Sequence, residues 1–323
     1  IAVLLSHGFE FGEVLFKRQW RRRFTPREPL PPEQQPFVSI HLACYNEPPE
    51  MVIATIDSLA RLDYANYEVI VVDNNTTDEA LWKPVEAHCA TLGPRFRFFH
   101  LPKWPGFKAG ALNFALKQTD PRAEIVGVVD ADYVVEPDWL ARLVPHFLDS
   151  PQVAVVQAPQ AHRDFEHSFF QRMCNWEFEG FFRIGMHHRN ERNALIQHGT
   201  MTLIRRRALE EVGGWSEWCI CEDTELGLRL IELGYETRYV DHIFGRGLTP
   251  SDFAAIKSQR FRWAFGAMQI LKAHLPKLLG LQPSKLNFAQ RYHFLTGWFA
   301  WFGDALHLVF ALASIYWTLG MIH

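Results

Sequence analysis

Two aspartates, Asp130 and Asp132, stand one residue apart just after an apolar run, Ile125–Val129. A run of Val and Ile bounded by turn-forming residues is typical of a fully buried strand. Carboxylates at the carboxyl end of such a strand lie where open α/β sheets bind their ligands. Carboxylate oxygens suit Mg²⁺ or Mn²⁺, which proteins commonly share with substrate phosphates. The pair predicts a phosphate-bearing ligand held through a divalent ion, with an ordinary turn as the alternative.

Two further side chains could bind the same ligand. Asp73 ends a second apolar run, Glu68–Val72, and could accept hydrogen bonds from a base or a ribose; the residues Thr76–Asp78 after it are better explained as helix caps. Lys108 lies in the glycine-containing stretch Gly106–Asn113 at a predicted helix start, where backbone N–H groups favour anions. A lysine there runs against the helix dipole, so a phosphate contact and a solvated lysine both stay open.

Carboxylates also open a helix in the second half of the chain. Glu222 and Asp223 stand at the start of a helix predicted over Asp223–Leu233. Acidic residues in a first turn complement the helix dipole, which is a sufficient structural reason for them. The same position is rigid enough to aim a general base into a site, so Asp223 is a candidate for that role.

A segment that alternates basic and aromatic residues follows at Gln259–Gly266. On a helix, Gln259, Arg262 and Trp263 share a face because they lie three and four residues apart. The arginine fork matches a diphosphate, and an indole offers a flat surface on which a sugar ring can stack. An amphipathic core helix is the alternative. Single-strand nucleic-acid platforms have a similar pattern, but the formal net charge of −3 argues against a nucleic-acid partner.

Strand-like and helical stretches alternate through the first half of the chain, which predicts an α/β fold with a mostly parallel sheet and helices on both faces. The predicted strands are Phe37–Leu42, Glu68–Val72, Phe96–Phe99, Ile125–Val129 and Val153–Gln157. The predicted helices are Pro49–Leu62, Glu79–Thr91, Lys108–Lys117 and Pro137–Leu148. Because parallel strands end at one sheet edge, the residues after the first, second and central strands should lie side by side.

Aromatic residues are abundant, with 26 Phe and 11 Trp, and they crowd into Phe165–Phe182 and Phe288–Trp317. The first stretch predicts a helix capped by Asp164, with its apolar face either in the core or in a membrane interface. In the tail, Tyr292–Phe302 has an interfacial composition, and Ala305–Met321 has the minimum length of a membrane span.

The amino-terminal end also predicts a membrane-associated segment. Basic residues follow an apolar stretch, Ile1–Leu5, and by the positive-inside rule they place the next segment in the cytoplasm, unless they form a surface patch on a soluble helix; they are Lys17, Arg18, Arg21, Arg22 and Arg23. The five scattered cysteines are typical of reduced thiols in a cytosolic compartment.

We therefore expect a fragment of a multi-pass membrane protein. The predicted parts are a membrane-helix end with a basic segment over 1–24, a proline-rich linker over 25–36, a cytoplasmic catalytic domain over 37–277, and an interfacial helix leading into a membrane region over 278–323.

Taken together, the motifs resemble those of processive, membrane-embedded family 2 glycosyltransferases, similar to cellulose synthases. The matching residues, in chain order, are Asp73, the D-x-D of Asp130 and Asp132, the E-D of Glu222 and Asp223, and the Q-x-x-R-W of Gln259, Arg262 and Trp263. The stretch from Tyr45–Pro49 through Gly106–Asn113 is most similar to bacterial β-1,3-glucan synthases. Cys221 stands where many relatives have Thr, and Asn74-Asn75 where many have Asp-Gly; both sites neighbour the reactive residues without replacing them.

The resemblance implies a glycosyltransferase-A fold, which is Rossmann-like, flanked by interfacial and transmembrane helices. It implies that Asp73 holds the uridine of a UDP-sugar, with Glu47 and Lys108 nearby. Asp130 and Asp132 would hold Mg²⁺ or Mn²⁺ on the diphosphate, which Arg262 would steady, and Gln259 would also bind the donor. Asp223 would be the general base of an inverting reaction, and Glu222 and Trp263 would bind the acceptor.

The implied activity is polymerisation of a β-1,3-glucan from UDP-glucose, with transfer of the growing chain across a bacterial inner membrane and contact with its lipids. A β-1,4-glucan or another β-glycan is the first alternative, and single transfers to a lipid or protein acceptor the second. More distant alternatives are a metal-dependent phosphohydrolase that uses Asp130 and Asp132, and a non-enzymatic nucleotide sensor.

Overall fold

The computed structural model describes residues 2–17 and 19–322, so Ile1 and Arg18 of the predicted amino-terminal segment lie outside the described residues. The strands in these ranges are β1 (Phe37–Cys44), β2 (Tyr67–Asn74), β3 (Phe96–Leu101), β4 (Ala123–Asp130), β5 (Val134–Val135), β6 (Val153–Gln157), β7 (Ala161–Arg163), β8 (Thr202–Arg205), β9 (Glu236–Tyr239) and β10 (Gly245–Leu248). They form a seven-stranded sheet in the order β3-β2-β1-β4-β8-β6-β9 and a small sheet in the order β5-β10-β7.

The helices of the described ranges alternate with these strands. They are α1 (Ala2–Phe16), α2 (Pro49–Ala60), α3 (Glu79–Thr91), α4 (Phe107–Gln118), α5 (Trp139–Leu143), α6 (Phe169–Gly180), α7 (His187–Asn190), α8 (Arg206–Glu211), α9 (Glu222–Glu232), α10 (Phe253–Leu278), α11 (Phe288–Gly297) and α12 (Phe299–Ile322). Short 3₁₀ segments cover Pro32–Gln34 and Val144–Leu148, and a π-helical turn covers Phe181–Met186.

The large sheet is mostly parallel, as the alternation predicts. Strand β1 pairs in parallel with β2 and β4, and β3 and β9 add further parallel pairs on β2 and β6. Strand β8 is the exception, because it runs antiparallel between β4 and β6.

Helices cover both faces of this sheet, which β4 demonstrates residue by residue. Its Ile125 and Val129 lie in one hydrophobic core with residues of α2, α3 and α5. Its Val126 and Val128 lie in a second core with residues of α4, α8 and α9. Successive side chains of a strand point to opposite faces, so a strand buried on both sides has to be apolar throughout. The predicted buried strand is confirmed.

Two predicted helices differ from the structure at their ends. The helix expected over Pro137–Leu148 is a single α-helical turn, α5, that tightens into a 3₁₀ segment, where Pro145 cannot donate a backbone hydrogen bond. The predicted cap Asp164 is wrong. Its φ is 58°, whereas Ser168 has the extended φ of −122° that an N-cap requires and accepts a hydrogen bond from the backbone N–H of Gln171.

The aromatic face of α6 is turned outward. Phe169, Met173 and Trp176 are all more than half exposed, while the buried residues of the helix are Cys174 and Asn175. Core packing therefore does not explain this stripe. An exposed apolar helix face is typical of a surface that meets a membrane or a partner.

Helix α1 docks on the domain through charged groups. The Glu13 carboxylate lies 2.7 Å from Arg192, and Glu10 lies 3.2 Å from Arg189. Its apolar side chains point away from the domain and are largely exposed; they include Leu4, Leu5, Leu15 and Phe16.

One helix of the described ranges is long and apolar enough to cross a membrane, Phe299–Met321. It contains the predicted span Ala305–Met321 and begins six residues earlier, because α12 starts at Phe299 directly after the break at Trp298. The predicted interfacial stretch Tyr292–Phe302 is thus divided between α11 and α12. The domain boundaries stay a prediction.

Candidate active site

The predicted polar loops meet at one edge of the large sheet. In the strand register, Asp73 at the end of β2 lies beside Cys44, and Asp130 at the end of β4 lies beside Ala43. Because neighbouring strands lie about 4.8 Å apart, the two aspartates stand roughly 10 Å from each other along this edge. The predicted side-by-side arrangement is confirmed.

Lys108 is held at this edge by the turn that begins α4. Gly106 before the helix has a φ of 82°, and the Asn74 side-chain amide donates to the carbonyl of Phe107 over 2.7 Å. A Cβ on Gly110 would lie 2.0 Å from the Pro105 carbonyl oxygen, so only glycine fits there. Asn74 is one of the residues that differ from the family pattern. Its hydrogen bond connects β2 to the helix that carries Lys108.

The Lys108 ammonium group joins two parts of the site. It forms an ion pair with Asp130 and donates to the carbonyl oxygen of Gly199 over 3.0 Å. Burial opposes its charge, but the carboxylates of Asp130, Glu222 and Asp223 outweigh that effect and raise the pKa of Lys108. Lys108 is therefore held in an ion pair rather than surrounded by solvent alone. A fixed cation of this kind can bind a phosphate, and the phosphate contact stays a prediction.

Asp132 lies where the small sheet meets the large one. One of its carboxylate oxygens accepts from the backbone N–H of Leu248 over 2.8 Å. Burial and the charge of Asp130 raise the pKa of Asp132, and burial with the charges of Asp132 and Asp130 raises the pKa of Glu47. The positive charge of Arg262 acts on Glu47 in the opposite direction. Glu47, Asp130 and Asp132 therefore form one acidic cluster.

The chemistry of this cluster fits a divalent cation. Its carboxylate oxygens are hard ligands, and their mutual repulsion is what a cation would relieve. Among the described residues, no group of three or more His, Cys, Asp or Glu side chains could hold a metal ion by itself. A site of this kind suits Mg²⁺ or Mn²⁺ when one or two carboxylates share the ion with ligand phosphates.

The first turn of α9 supplies the opposite side of the site. An oxygen of Asp223 accepts from the backbone N–H of Thr224 over 2.7 Å. Burial raises the pKa of Asp223, against the opposing charge of Lys108. Burial and the charge of Asp223 also raise the pKa of Glu222. A carboxylate with a raised pKa is a stronger base than one in water, which suits Asp223 to remove a proton.

Gly199 lies between the two halves of the site, and no role was predicted for it. A Cβ there would lie 2.9 Å from the Lys108 Nζ and 3.1 Å from the Asp223 Oδ2. Gly199→Ala therefore displaces both groups by a few tenths of an ångström. We expect turnover to fall by about tenfold, because misplacing reacting groups by 1 Å costs on the order of a hundredfold. Steady-state kinetics of the purified variant measure this.

The matched control for this substitution is Gly180→Ala on α6. A Cβ at Gly180 meets no atom within 4 Å, so this variant should keep full turnover and gain up to about 1 kcal/mol of stability from helix propensity. Equal turnover of the two variants would contradict the close approach at Gly199.

The Q-x-x-R-W segment is part of α10 and contacts the loop before α9. The Cys221 Sγ lies 3.8 Å from the carbonyl oxygen of Arg262 and 4.0 Å from that of Trp263. The Trp263 ring meets Phe178 edge to face with centroids 5.7 Å apart, and the Arg260 guanidinium lies 4.9 Å from its centre. The structure thus brings this segment to the residue that precedes Glu222 and Asp223.

Gln259 has a less definite place. Its side-chain oxygen is buried without a partner among the described residues. An oxygen in this state is available to a ligand donor, and the predicted donor contact of Gln259 stays a prediction.

Asp73 is oriented by residues that the sequence did not single out. Its carboxylate lies 2.9 Å from the His100 Nδ1 and accepts from the Thr76 hydroxyl over 2.8 Å. Trp82 stacks on the His100 ring with centroids 4.2 Å apart. The capping role predicted for Thr76 is therefore wrong, whereas Asp78 does cap α3. No local pattern connects His100 or Trp82 with Asp73, since the contacts form only when β3 pairs with β2.

A buried ionic cluster behind α9 was also missed. The His274 ring of α10 lies 2.7 Å from Glu232 and 3.1 Å from Glu225, and these carboxylates also pair with Lys277 and Arg229. The partners stand 42 and 49 residues from His274 in the chain, so no spacing rule could reveal them.

This cluster predicts a pH dependence of stability. Burial opposes the charge of His274, but the hydrogen bonds that its ring N–H groups donate to Glu225 and Glu232 raise its pKa to about 9. Because the pKa is raised on folding, the stabilisation is complete below pH 6.5, declines above it and is lost above pH 9. Allowing for solvent screening, we expect it to be about 2 kcal/mol.

Thermal melts between pH 6 and pH 10 measure this stabilisation. His274→Gln should lower the melting temperature at pH 6 and leave it nearly unchanged at pH 10. An equal loss at both pH values would show that His274 is not charged in the folded protein.

The parallel sheet, with an acidic cluster at its carboxyl edge and a cationic side chain beside it, defines a glycosyltransferase-A-type α/β protein. The chain belongs to the family described as Glycosyltransferase like family 2, whose sequence profile matches residues 35–266. This confirms the coarser part of the resemblance drawn from the motifs.

Two curated relatives extend the similarity. The chain is 28% identical over 267 residues to "Probable glucomannan 4-beta-mannosyltransferase 7" of Oryza sativa subsp. japonica, covering 80% of this chain and 46% of the relative. It is 30% identical over 317 residues to "Cellulose synthase catalytic subunit [UDP-forming]" of Pseudomonas fluorescens, covering 94% of this chain and 40% of that protein. The chain thus spans less than half the length of these relatives.

A solved structure shares the fold. The mannosyltransferase PcManGT of Pyrobaculum calidifontis, in complex with GDP-Man and Mn²⁺, superposes with a TM-score of 0.66 at 21% identity, covering 92% of this chain and 80% of that one. At this level of identity the likeness concerns the fold alone, and it agrees with the predicted glycosyltransferase-A fold.

Proposed function

We propose that this chain is the catalytic part of an inverting, processive glycosyltransferase that polymerises a β-linked hexose from a UDP-hexose. The observation that carries the proposal is the ion pair of Lys108 with Asp130 beside the half-buried Asp223. It joins a phosphate-binding cation, the D-x-D motif and a candidate base in one site.

The donor would bind along the sheet edge. Asp73, held by His100 and Thr76, would accept hydrogen bonds from the uridine. Lys108 and Arg262 would neutralise the diphosphate, with Glu47 and Gln259 at its border.

Asp130 and Asp132 would hold Mg²⁺ or Mn²⁺, which when bound stabilises negative charge on the departing diphosphate as a Lewis acid. The raised pKa of Asp132 and of Glu47 supports this assignment, because burial and then the charge of neighbouring carboxylates cause both shifts. Lys108 adds a second, permanent positive charge on the leaving-group side.

The acceptor would enter from the side of α9 and α10. Asp223 would take the proton from the attacking hydroxyl at one of its carboxylate oxygens, while the Thr224 N–H steadies the other. Attack from the face opposite the diphosphate inverts the anomeric carbon. Trp263 would stack on the acceptor sugar, and Glu222 would accept a hydrogen bond from it.

The names of the two relatives support one choice of linkage. The plant relative is named for 4-β-mannosyl transfer and the bacterial relative for cellulose synthesis, so we favour a β-1,4-linked product made from UDP-glucose. The β-1,3-glucan predicted from the loop resemblance ranks second. The "UDP-forming" name of the bacterial relative supports UDP as the leaving group.

The membrane arrangement is part of this proposal. The apolar helix Phe299–Met321, the outward face of α6 and the outward face of α1 support contact with lipid. We place the described domain on the cytoplasmic side of a bacterial inner membrane, in a multi-pass protein that passes its product across.

The test uses the full-length protein purified in detergent, with Mg²⁺ or Mn²⁺ and either UDP-glucose or GDP-mannose. We expect a long polymer from UDP-glucose, and methylation analysis of the product identifies its linkage. Transfer of one sugar only would defeat processivity. Release of uridine phosphates without transfer to any acceptor would favour the phosphohydrolase alternative.

A further inference from the structure

Helix α10 is attached to α9 and its leading loop by contacts that repeat along one helix face. At the amino-terminal part of this face, Cys221 meets the backbone of Arg262 and Trp263. A Cβ on Gly266 would lie 2.4 Å from the Cys221 Sγ, so the Cys221 side chain packs against the α10 backbone at a distance that only glycine permits.

Farther along the same face, the Gln269 side chain bridges the loop. Its oxygen accepts from the N–H of Ile220 over 3.2 Å, and its amide donates to the carbonyl of Trp218 over 2.8 Å. Ile270 is fully buried in one apolar cluster with Leu228 of α9. These contacts recur at helical spacing, as expected for one continuous interface.

The carboxyl-terminal part of this interface is ionic. The His274 ring lies between Glu225 and Glu232 of α9, and the side chains of all three residues are less than 10% exposed. Glu225 also pairs with Arg229 at 2.7 Å, and Glu232 with Lys277 at 2.7 Å. On α9, Glu225 follows Asp223 by about half a turn and Glu232 follows it by about two and a half turns.

We infer that His274 is a positioning residue, which fixes the register of α10 on α9 and so holds the Arg262–Trp263 segment beside Asp223. The inference rests on the proposed function, in which Trp263 binds the acceptor and Asp223 activates it. From His274 to Trp263 is 11 residues, or roughly 16 Å of helix axis at 1.5 Å per residue. A continuous helix transmits a displacement over that length.

The ionic contact suits this role better than apolar packing alone. An apolar interface tolerates small slips, whereas a buried imidazolium has to meet both carboxylates or leave one of them unpaired. His274 meets Glu225 with one ring nitrogen and Glu232 with the other. Only one register of α10 satisfies both.

The test compares His274→Gln with wild-type protein in two assays. In His274→Gln we expect the turnover of sugar transfer to fall by about tenfold or more, and the ratio of transfer to donor hydrolysis to fall several-fold, because Trp263 leaves the acceptor. The KM for the donor should rise, because the proposed function places Arg262 of the same segment on the diphosphate. Iodoacetamide labelling of Cys221, followed by peptide mass spectrometry, should become several-fold faster, because Cys221 lies under the displaced helix.

The matched control is Arg97→Gln, which removes the partner of another buried carboxylate, Glu68, on the β2–β3 side of the sheet. It should lower the melting temperature while leaving Cys221 labelling and the ratio of transfer to hydrolysis as in wild type. If Cys221 labelling and the ratio of transfer to hydrolysis changed in both variants, His274 would only stabilise the fold, and the inference would be overturned.

If His274→Gln does not fold, Lys277→Gln decides, since Lys277 is partly exposed at the edge of the cluster. Lys277→Gln should speed the labelling of Cys221 and lower the rate of sugar transfer, each by a smaller factor than His274→Gln. Unchanged labelling and transfer in a folded variant would overturn the inference. Absence of transfer by wild-type protein would instead defeat the proposed function, while the labelling assay would still report on the register.

Discussion

Asp223→Asn is expected to lower the rate of sugar transfer by about a hundred- to ten-thousandfold, the usual contribution of a general base. The amide keeps an oxygen that can accept from the Thr224 N–H but cannot take a proton. Because burial disfavours the charge of Asp223, the neutral side chain should not lower the melting temperature. Single-turnover kinetics and thermal melts measure the two effects.

The control for this variant is Asp138→Asn. Asp138 also stands at the start of a helix, α5, and caps it without a side-chain hydrogen bond, so the same chemical change there should leave transfer as in wild type. A rate for Asp223→Asn within about threefold of wild type would remove Asp223 from the reaction.

Asp132→Asn is expected to cost at least about a hundredfold in transfer, since a bound metal ion contributes several kcal/mol of charge stabilisation. The amide oxygen can still accept from the Leu248 N–H, so the loop that carries it should keep its place. Binding of Mn²⁺ in the presence of UDP, followed by electron paramagnetic resonance, should weaken by at least about tenfold. This readout does not depend on turnover.

Asp164→Asn is the matched control for the metal prediction. Asp164 has a left-handed φ of 58°, which asparagine adopts readily, and it is exposed beside Arg163. Its Mn²⁺ binding should equal that of wild type. Undiminished Mn²⁺ binding by Asp132→Asn would place the ion elsewhere.

The sequence predicts those parts of this fold that depend on local pattern. The buried strand Ile125–Val129 is apolar on both faces because both faces are covered, and that is visible as an unbroken run. The meeting of Asp73 and Asp130 follows from parallel pairing alone. The proximity of α10 to α9 does not follow from local pattern. It was predicted only from the family resemblance, which places the Q-x-x-R-W segment and Asp223 in one site.

What the sequence hides is set by pairings between distant residues. Lys108 donates a hydrogen bond to the carbonyl of Gly199, which lies 91 residues away in the chain. A glycine before a threonine has no sequence feature that predicts such a contact. The outward face of α6 has the same periodicity as an inward one, so spacing could not decide between them. Ser168 caps α6 and Asp164 does not, because only Ser168 has the backbone dihedral angles of an N-cap. Those angles cannot be read from the residue types.

The antiparallel strand β8 has a consequence for how the protein matures. It inserts between β4 and β6, although β6 precedes it in the chain, so β4 has an open edge until Thr202–Arg205 has been synthesised. An uncovered apolar edge is a template for aggregation. Ribosome-bound or truncated chains that stop before Thr202 will therefore be prone to aggregation and will need chaperones. They will also be inert towards the donor, because Gly199 and Thr200 reach the Asp130 side of the sheet only when β8 is in place.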